Sequence, residues 1–441
     1  MGDPNYRVRG EQTMEYRKWM EYLSTSAGQD LLAQLYGAGQ AAGALERYGQ
    51  LMQRHVQRTG APEIRLFSAS GRTEVSGNHT DHNHGLVLAA GVTVDTLAVV
   101  SPRADRKINV VSEGFPEAFE ISLDALKVDE KAFGTTQAIL RGIARNLCDR
   151  GFTLGGFDAT VASSVPVGSG LSSSAAFEVL IVEIMNQLFC GGKIDGIARA
   201  QIGQYAENVY FGKPSGLMDQ MACSLASMSL IDFEDPQKPK VERIAYDLEK
   251  AGYALVVVAT GGDHADLTDA YAAIPQDMKA AANFMGKDFL RQVAVADFMA
   301  AIPQMREKIG ERPVLRALHF FDENARVLRQ AQALKEGDVQ TFLSLVIASG
   351  ESSWRLLQNC VVPGRLEQGL PLALALSERY LRPMGGAWRV HGGGFAGTIQ
   401  AFVPLDEVES YIAAMSEVFG PHSCTRLGVR NLGAMELKAE A

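Results

Sequence analysis

The sequence predicts a two-domain protein that mixes helices with strands, and three observations carry that prediction. At 441 residues the chain is too long for a single ordinary core. Segments with helical spacing trade places with strand-like runs along its whole length. Between them, strand-like Phe157–Ala162 runs through a turn of glycines and hydroxyls into a very apolar helix, a connection suited to holding a phosphate.

Taken in order, residues 1 to about 62 read as helices, with Leu31, Leu32, Leu35 and Tyr36 and then Leu45, Tyr48, Leu51 and Val56 at helical spacing. Ile64–Ala69 switches to strand. The block from Leu86 to Val111 is strand-rich, most clearly at Leu97–Val100 and Ile108–Val111. Between these, Gly71 to Asn83 is dense in polar groups and predicts a surface loop that recognises several hydroxyls. Phe133–Cys148 reads as a helix. Ala176, Leu180, Ile184 and Leu188 then recur every four residues, and Val179, Ile181, Met185 and Phe189 widen the apolar face into a helix buried on most sides. A second helix follows from about Ile197 to Asn208, ended by the turn Gly212–Gly216.

The strand Tyr253–Val258 opens a second domain, which divides the chain into residues 1–250 and 251–441. Helices fill about 264 to 380 and are expected to break near Pro303 and Pro313. Ala387–Val390 and Thr398–Val403 read as paired strands around residues 391–395, and a helix from about Leu405 to Phe419 follows. Without internal repeats or a low-complexity linker, the domains are expected to share an interface rather than a tether.

Composition narrows the function classes. The chain is 46% hydrophobic and 21% charged, as in soluble globular proteins. A net charge of −9 argues against nucleic acid or an acidic membrane as partner, yet leaves room for a nucleotide held by local donors. The five cysteines are odd in number and lack C-x-x-C spacing, so they read as free thiols in a reducing compartment. The start, Met1–Asn5, leads into a charged segment without the apolar core of a signal peptide, and no apolar run reaches membrane-spanning length. A cytoplasmic protein without a membrane partner is expected.

Four motifs carry chemistry. In the first, Val165 to Ala176, the glycines Gly168 and Gly170 let backbone approach a ligand, and Ser172, Ser173 and Ser174 lead into a helix N-terminus. No Gly-Lys-Ser/Thr and no G-x-G-x-x-G is present. Taken alone, such a turn could merely cap a core helix. The second motif is Gly71 to Asn83. The third couples Glu207 with Asp219 across the proline–glycine turn, and the fourth is the triple glycine at 392–394. Each has a plain alternative: Asp219 as a helix cap, Glu207 as an exposed helix charge, Arg72 as a surface cation, the glycines as a tight strand connection. His79, His82 and His84 lie in one loop, but no cysteine or second histidine pair completes a zinc set.

Read together, the motifs resemble a known family. Pro166-x-Gly168-x-Gly170-Leu171-Ser172-Ser173-Ser174-Ala175 resembles the phosphate loop of the GHMP small-molecule kinases. Gly71-Arg72 with His79-Thr80-Asp81, then Gly212-x-Pro214-x-Gly216-x-Met218-Asp219-Gln220, then Gly392-Gly393-Gly394-Phe395-x-Gly397, looks specifically like the galactokinase family. The match runs from about residue 40 to near the C-terminus. Asp322 to Val327, and His264 followed seven positions later by Tyr271, are smaller echoes.

The resemblance implies an α+β fold: an N-terminal domain like domain 2 of ribosomal protein S5 and a C-terminal ferredoxin-like sandwich, with the active site in the cleft between. It implies transfer of the ATP γ-phosphoryl group to the anomeric hydroxyl of galactose, with Mg²⁺ accompanying ATP. Asp219 matches the base for the sugar hydroxyl, and Arg72 the residue that pairs with it and with the transferring phosphate. Asn78, His79, Asp81 and Tyr271 match sugar-contacting positions. Pro166, Gly168, Ser169, Gly170, Leu171, Ser172, Ser173 and Ser174 match the ATP-binding turn. Glu207, with Ser173 or Ser174, matches the metal site. The implied partners are a small sugar and ATP, on a monomer or weak homo-oligomer.

This chain departs from the family pattern at three places. Glu74 stands where asparagine is usual, Asn78 where glutamate is usual and His82 where tyrosine is usual. Exchanging the position-78 carboxylate for an amide weakens one sugar contact by roughly 1–3 kcal/mol or retunes the pocket for a modified sugar. A sibling anomeric kinase for N-acetylgalactosamine, galacturonate or arabinose therefore stays open, as does a non-catalytic sugar sensor.

Overall fold

The computed structural model describes residues 14–166, 170–261, 267–362 and 364–439. The calls on Gly168, Ser169 and His264 fall outside them. Three helices come first, α1 (Tyr16–Ser24), α2 (Ser26–Tyr36) and α3 (Ala41–Thr59). The strands β1 (Arg65–Ser76), β2 (Leu86–Pro102), β3 (Lys107–Ser112) and β4 (Phe119–Ser122) lead to α4 (Thr136–Asp149), β5 (Phe157–Ser163) and α5 (Ser173–Phe189). Then come α6 (Gly196–Tyr205), α7 (Met218–Leu225), β6 (Met228–Asp232) and β7 (Lys240–Ile244).

These strands form a mixed sheet in the order β12-β1-β2-β5-β3-β4, with β6 and β7 continuing from the long β2, where β12 is Met435–Leu437. Among the described residues only β3 and β5 pair in parallel. Strand alternation explains why the central strands are apolar throughout. Phe67, Ala98 and Val100 face the core under α4 and α5. Leu66, Leu97 and Val99 face the opposite way, onto Trp19, Leu32, Leu35 and Leu51 of α1–α3. The N-terminal helices thus roof one side of the sheet, and the Trp19 indole N–H fixes them by donating to the Ile64 carbonyl at 3.2 Å.

The second sheet begins with β8 (Tyr253–Ala259), close to the expected division. The helices α8 (Thr268–Phe284), α9 (Val295–Ile309), α10 (Glu311–Glu336), α11 (Val339–Ser352) and α12 (Gly369–Leu381) separate it from β9 (Ala387–His391). β10 (Thr398–Pro404), α13 (Val408–Phe419) and β11 (Cys424–Leu427) complete the unit. The antiparallel order β11-β8-β10-β9 is the 4-1-3-2 arrangement of a ferredoxin-like sandwich. One face packs on α12 and α13 through Val256, Val390, Ile399 and Tyr411. The other, with Leu255, Val257 and Phe402, joins the first domain's core alongside Val327 and Phe342. Residues of both sheets thus belong to one continuous hydrophobic cluster. The final strand, β12, leaves the second unit and pairs with β1.

Two expectations need correction. Gly71–Ser76 is not a surface loop: it is the buried second half of β1, and the loop starts at Gly77. Its polar side chains are satisfied by partners distant in sequence, Asp219 for Arg72, Gln400 for Thr73, Arg389 for Glu74 and Glu323 for Ser76, which the local sequence does not reveal. Of the two helix breaks expected, the one near Pro313 is present and the one near Pro303 is not. Pro303 lies inside α9 on its exposed side, as does Met299, whose carbonyl loses its usual partner, so water can satisfy it. Pro313 sits in the first turn of α10, where no N–H is needed, and the break falls at Gly310 with φ 83°.

Candidate active site

The site is built where β1 stops being regular. Its pairing with β2 shifts register between Ser70 and Arg72 and again between Glu74 and Ser76. Such bulges re-aim the side chains that follow. At the first, a Cβ on Gly71 would meet the Leu171 carbonyl at 3.1 Å, so glycine lets the phosphate turn lie against the strand. The Arg72 N–H donates to that same carbonyl at 3.1 Å.

The Arg72 side chain is buried and organises the centre. Its Nε and Nη2 approach Asp219 Oδ1 at 2.8 and 2.7 Å, and its Nη1 donates to the Gly170 carbonyl. Ser172 takes a left-handed conformation (φ 57°, ψ 61°) before α5 and turns its hydroxyl to Asp219 Oδ2 rather than capping the helix. Burial alone would raise the Asp219 carboxyl, but Arg72, the Ser172 hydroxyl and Lys213 hold it below the usual range. It is therefore ionised at neutral pH while its side chain remains about a third exposed, at 35%. The first N–H groups of α5, beside it, have no partner inside the helix.

Glu207 lies in a π-helical turn, Ala206–Phe211, that widens the end of α6. Its carboxylate accepts from Lys213 Nζ at 2.9 Å, Ser215 Oγ at 2.6 Å and Gln220 Nε2 at 2.8 Å. With Ser173, Ser174, Phe115, Phe177 and Lys213 it lines a cavity of about 380 Å³ whose walls are mainly apolar. Burial, then the neighbouring Glu207, pushes the Glu178 carboxyl on the same wall far up, so it is neutral. Among the described residues no cluster of three or more His, Cys, Asp or Glu could hold a metal alone. One carboxylate with hydroxyls nonetheless fits Mg²⁺, which takes hard oxygens and shares its shell with phosphates and water.

The motif from Asn78 onward meets the triple glycine. Asn78 Nδ2 donates to the Gly392 carbonyl at 2.8 Å, His79 Nε2 to that of Gly393 at 3.0 Å, and the Tyr271 hydroxyl to that of Gly394 at 2.7 Å. Three residues expected to contact sugar thus hold three successive loop carbonyls. Burial lowers His79 to about 4, so its ring is neutral with the proton on Nε2. A Cβ on Gly393 would strike the Tyr271 ring at 2.7 Å, and one on Gly394 would strike the Asn359 backbone. Side chains at these positions would force the loop off its supports. Asp81 accepts from the His82 N–H at 3.0 Å and its carboxylate presses against Gly216. Hence Arg72, Asp219, Gly170, Leu171 and Ser172 meet at one point, Glu207, Ser173 and Ser174 share the adjoining cavity, and Asn78, His79 and Tyr271 gather on the glycine loop. Pro166 ends the described segment that follows β5.

Several supporting residues lie outside the four motifs, Glu323 within a smaller echo and the others without a sequence signal. His391 and Thr398, from β9 and β10, press on Gly170, where a Cβ would approach them at 3.0 and 2.8 Å. Glu323 Oε1 accepts from the Gly77 N–H at 3.0 Å and from Ser76 at 2.8 Å. Asn359 and His319 grip Asn78 from the helical segment. They are single residues scattered over some eighty positions, and only the tertiary fold assembles them.

Comparison with known proteins agrees with this geometry. The model of the GHMP kinases N terminal domain matches residues 138–227, and the galactokinase galactose-binding signature matches residues 53–102. The galactokinase of Streptomyces coelicolor is 32% identical over 373 residues, 84% of this chain and 92% of that one. The chain belongs to the galactokinase family. A crystal structure of Lactococcus lactis galactokinase complexed with galactose superimposes with a TM-score of 0.76 at 24% identity, covering 89% of this chain and all of that one. The mevalonate kinase of Methanococcus jannaschii shares the fold more distantly, with a TM-score of 0.59 at 13% identity over 82% of this chain and 98% of that one. These likenesses place this galactokinase-family chain in the GHMP kinase fold. No helix among the described residues is long and apolar enough to cross a membrane.

Proposed function

We infer that this chain transfers the γ-phosphoryl group of ATP to the anomeric hydroxyl of galactose, giving galactose 1-phosphate and ADP. The observation that carries the reading is the Asp219 carboxylate, held by Arg72 and Ser172 where the phosphate turn meets the sugar motif. The sugar oxygen forms a bond to the γ-phosphorus as the bond to the ADP oxygen breaks, and the hydroxyl proton passes to Asp219. A carboxylate held this low is a weak base, so it takes the proton late, which suits a loose transition state. Arg72 keeps Asp219 charged and offsets the negative charge on the transferring group.

Gly168, Ser169 and Gly170, with the N-terminus of α5, cradle the phosphates, and the nucleotide enters the cavity beside Phe115 and Phe177. Glu207 and Ser173 or Ser174 would hold Mg²⁺, which would neutralise phosphate charge when bound. Asn78, His79, Asp81 and Tyr271 form the sugar side, Asp81 by direct contact. The five cysteines, all free, support a reducing, cytoplasmic setting, and we propose a monomer or weak homo-oligomer.

The test is a coupled ADP-release assay with MgATP and galactose, glucose, N-acetylgalactosamine, arabinose and galacturonate, with Asp219→Asn as control. Galactose should be strongly preferred and the substitution should abolish its turnover. A far higher kcat/KM for another sugar would overturn the substrate, and binding without turnover would leave a sensor.

A further inference from the structure

Asn78 has no hydrogen-bonding capacity to spare. A primary amide offers two N–H donors and two acceptor positions. Here one N–H serves the Glu74 carboxylate, at 2.9 and 3.2 Å from its two oxygens, and the other serves the Gly392 carbonyl. The oxygen accepts from Asn359 Nδ2 at 2.7 Å and Ser353 Oγ at 3.3 Å. The residue is 1% exposed. The charge behind it belongs to Glu74, equally buried on β1, whose nearest cation is Arg389 on β9 at 3.4 Å. One carboxylate and one amide, four positions apart across a bulge, thus form a closed pair between two strands and the glycine loop. They are also two of the three positions at which the chain departs from the pattern its motifs resemble, and those two departures are reciprocal: the acid and the amide have exchanged places.

We propose that Glu74 and Asn78 act as one positioning pair, interchangeable between the two positions, that sets galactose binding by fixing the Gly392–Gly394 loop. Glu74 anchors the pair against Arg389, and Asn78 transmits the anchor to the Gly392 carbonyl. Asn359 links the same pair to Gly393, whose carbonyl its Nδ2 approaches at 3.1 Å. Neither side chain needs to touch the sugar. What matters is that the pair holds one acid and one amide. Two carboxylates would crowd like charges in a buried site, and two amides would leave Arg389 without its anion.

This inference rests on the reading of the site as a galactose kinase, and its test separates the two. Glu74→Asn, Asn78→Glu and the double substitution are compared with the unaltered chain by galactose KM, ATP KM, kcat and Tm. Each single change should raise galactose KM about 10- to 100-fold with ATP KM changed less than about threefold, and should lower Tm. The double exchange should return galactose KM to within about threefold of the original and regain most of the lost Tm. A double variant as impaired as the worse single, or one in which the two effects add, overturns the pair. Equal changes in galactose and ATP KM would reduce the role to general stability and also overturn it. If the unaltered chain does not turn over galactose, the functional reading fails, and the Tm comparison still decides whether the pair exchanges.

Discussion

Replacing Arg72 with lysine probes the centre of the site while keeping its charge. Arginine places Nε and Nη2 on Asp219 and Nη1 on the Gly170 carbonyl at once. A lysine ammonium on a stem of similar length can satisfy one of these partners, not both, because it is a point donor rather than a fork. About two charge-assisted hydrogen bonds are lost. Asp219 is partly exposed, so water screens it and each bond counts near the low end of its range, about 1.5 kcal/mol. The sum, about 3 kcal/mol, corresponds to roughly a hundredfold in rate. Arg72→Lys should therefore lower kcat about 30- to 300-fold in the coupled ADP assay and leave galactose KM within about threefold. The thermal midpoint, read on the same samples, guards against a misfolded variant. A kcat within threefold of the original in a folded variant, or a loss expressed only in KM, would refute the assignment of Arg72 to the reacting centre.

Three further outcomes follow from the geometry. Gly216→Ala should fold, because its new Cβ meets only the end of the Asp81 side chain, but it should raise galactose KM at least tenfold by displacing that carboxylate, an effect steady-state kinetics would detect. Burial would raise Glu323, yet His319, Arg326, Arg389 and Ser349 hold it at about 2 against an ordinary 4.5. A depressed carboxyl stabilises the fold above its unfolded pKa and loses that contribution as pH falls through the folded value. Urea titrations should thus find Glu323→Gln less stable by about 3 kcal/mol at pH 7, with the gap closing between about pH 4.5 and 2; a gap independent of pH would contradict this. Trp19→Ala, far from the site, should cost about 3–5 kcal/mol of stability without moving either KM, as chemical denaturation beside kinetics would establish.

Much of the molecule was legible in the chain because its information is local. The period of α5, the alternation in β9 and β10, and the glycine turn feeding a helix are all statements about neighbours within ten residues. The reading of Gly71–Ser76 as a loop failed for the opposite reason. Thr73, Glu74 and Ser76 are polar because partners more than two hundred positions away satisfy them, Gln400 for Thr73, Arg389 for Glu74 and Glu323 for Ser76. Pro303 misled because a rule about helix interiors was applied without knowing which face is wet. The candidate site residues stand in motifs, whereas the residues that hold them, such as Asn359 and His319, belong to no motif. The Glu74 carboxylate that Asn78 bonds was equally hidden, because the contact spans a bulge that the sequence does not announce.

The return of the chain's last strand to its first sheet bears on how the protein is made. Arg65 on β1 and Glu436 on β12 form a buried fork, Nε and Nη2 against the two carboxylate oxygens at 2.5 and 2.6 Å, across 371 positions of sequence. During synthesis the first sheet therefore waits with the β1 edge open until Met435–Leu437 have left the ribosome. Pairings that distant are slow to close, and an open edge invites association with other chains in the meantime. The first sheet is completed only after every strand of the second has been made, so the two sheets mature together.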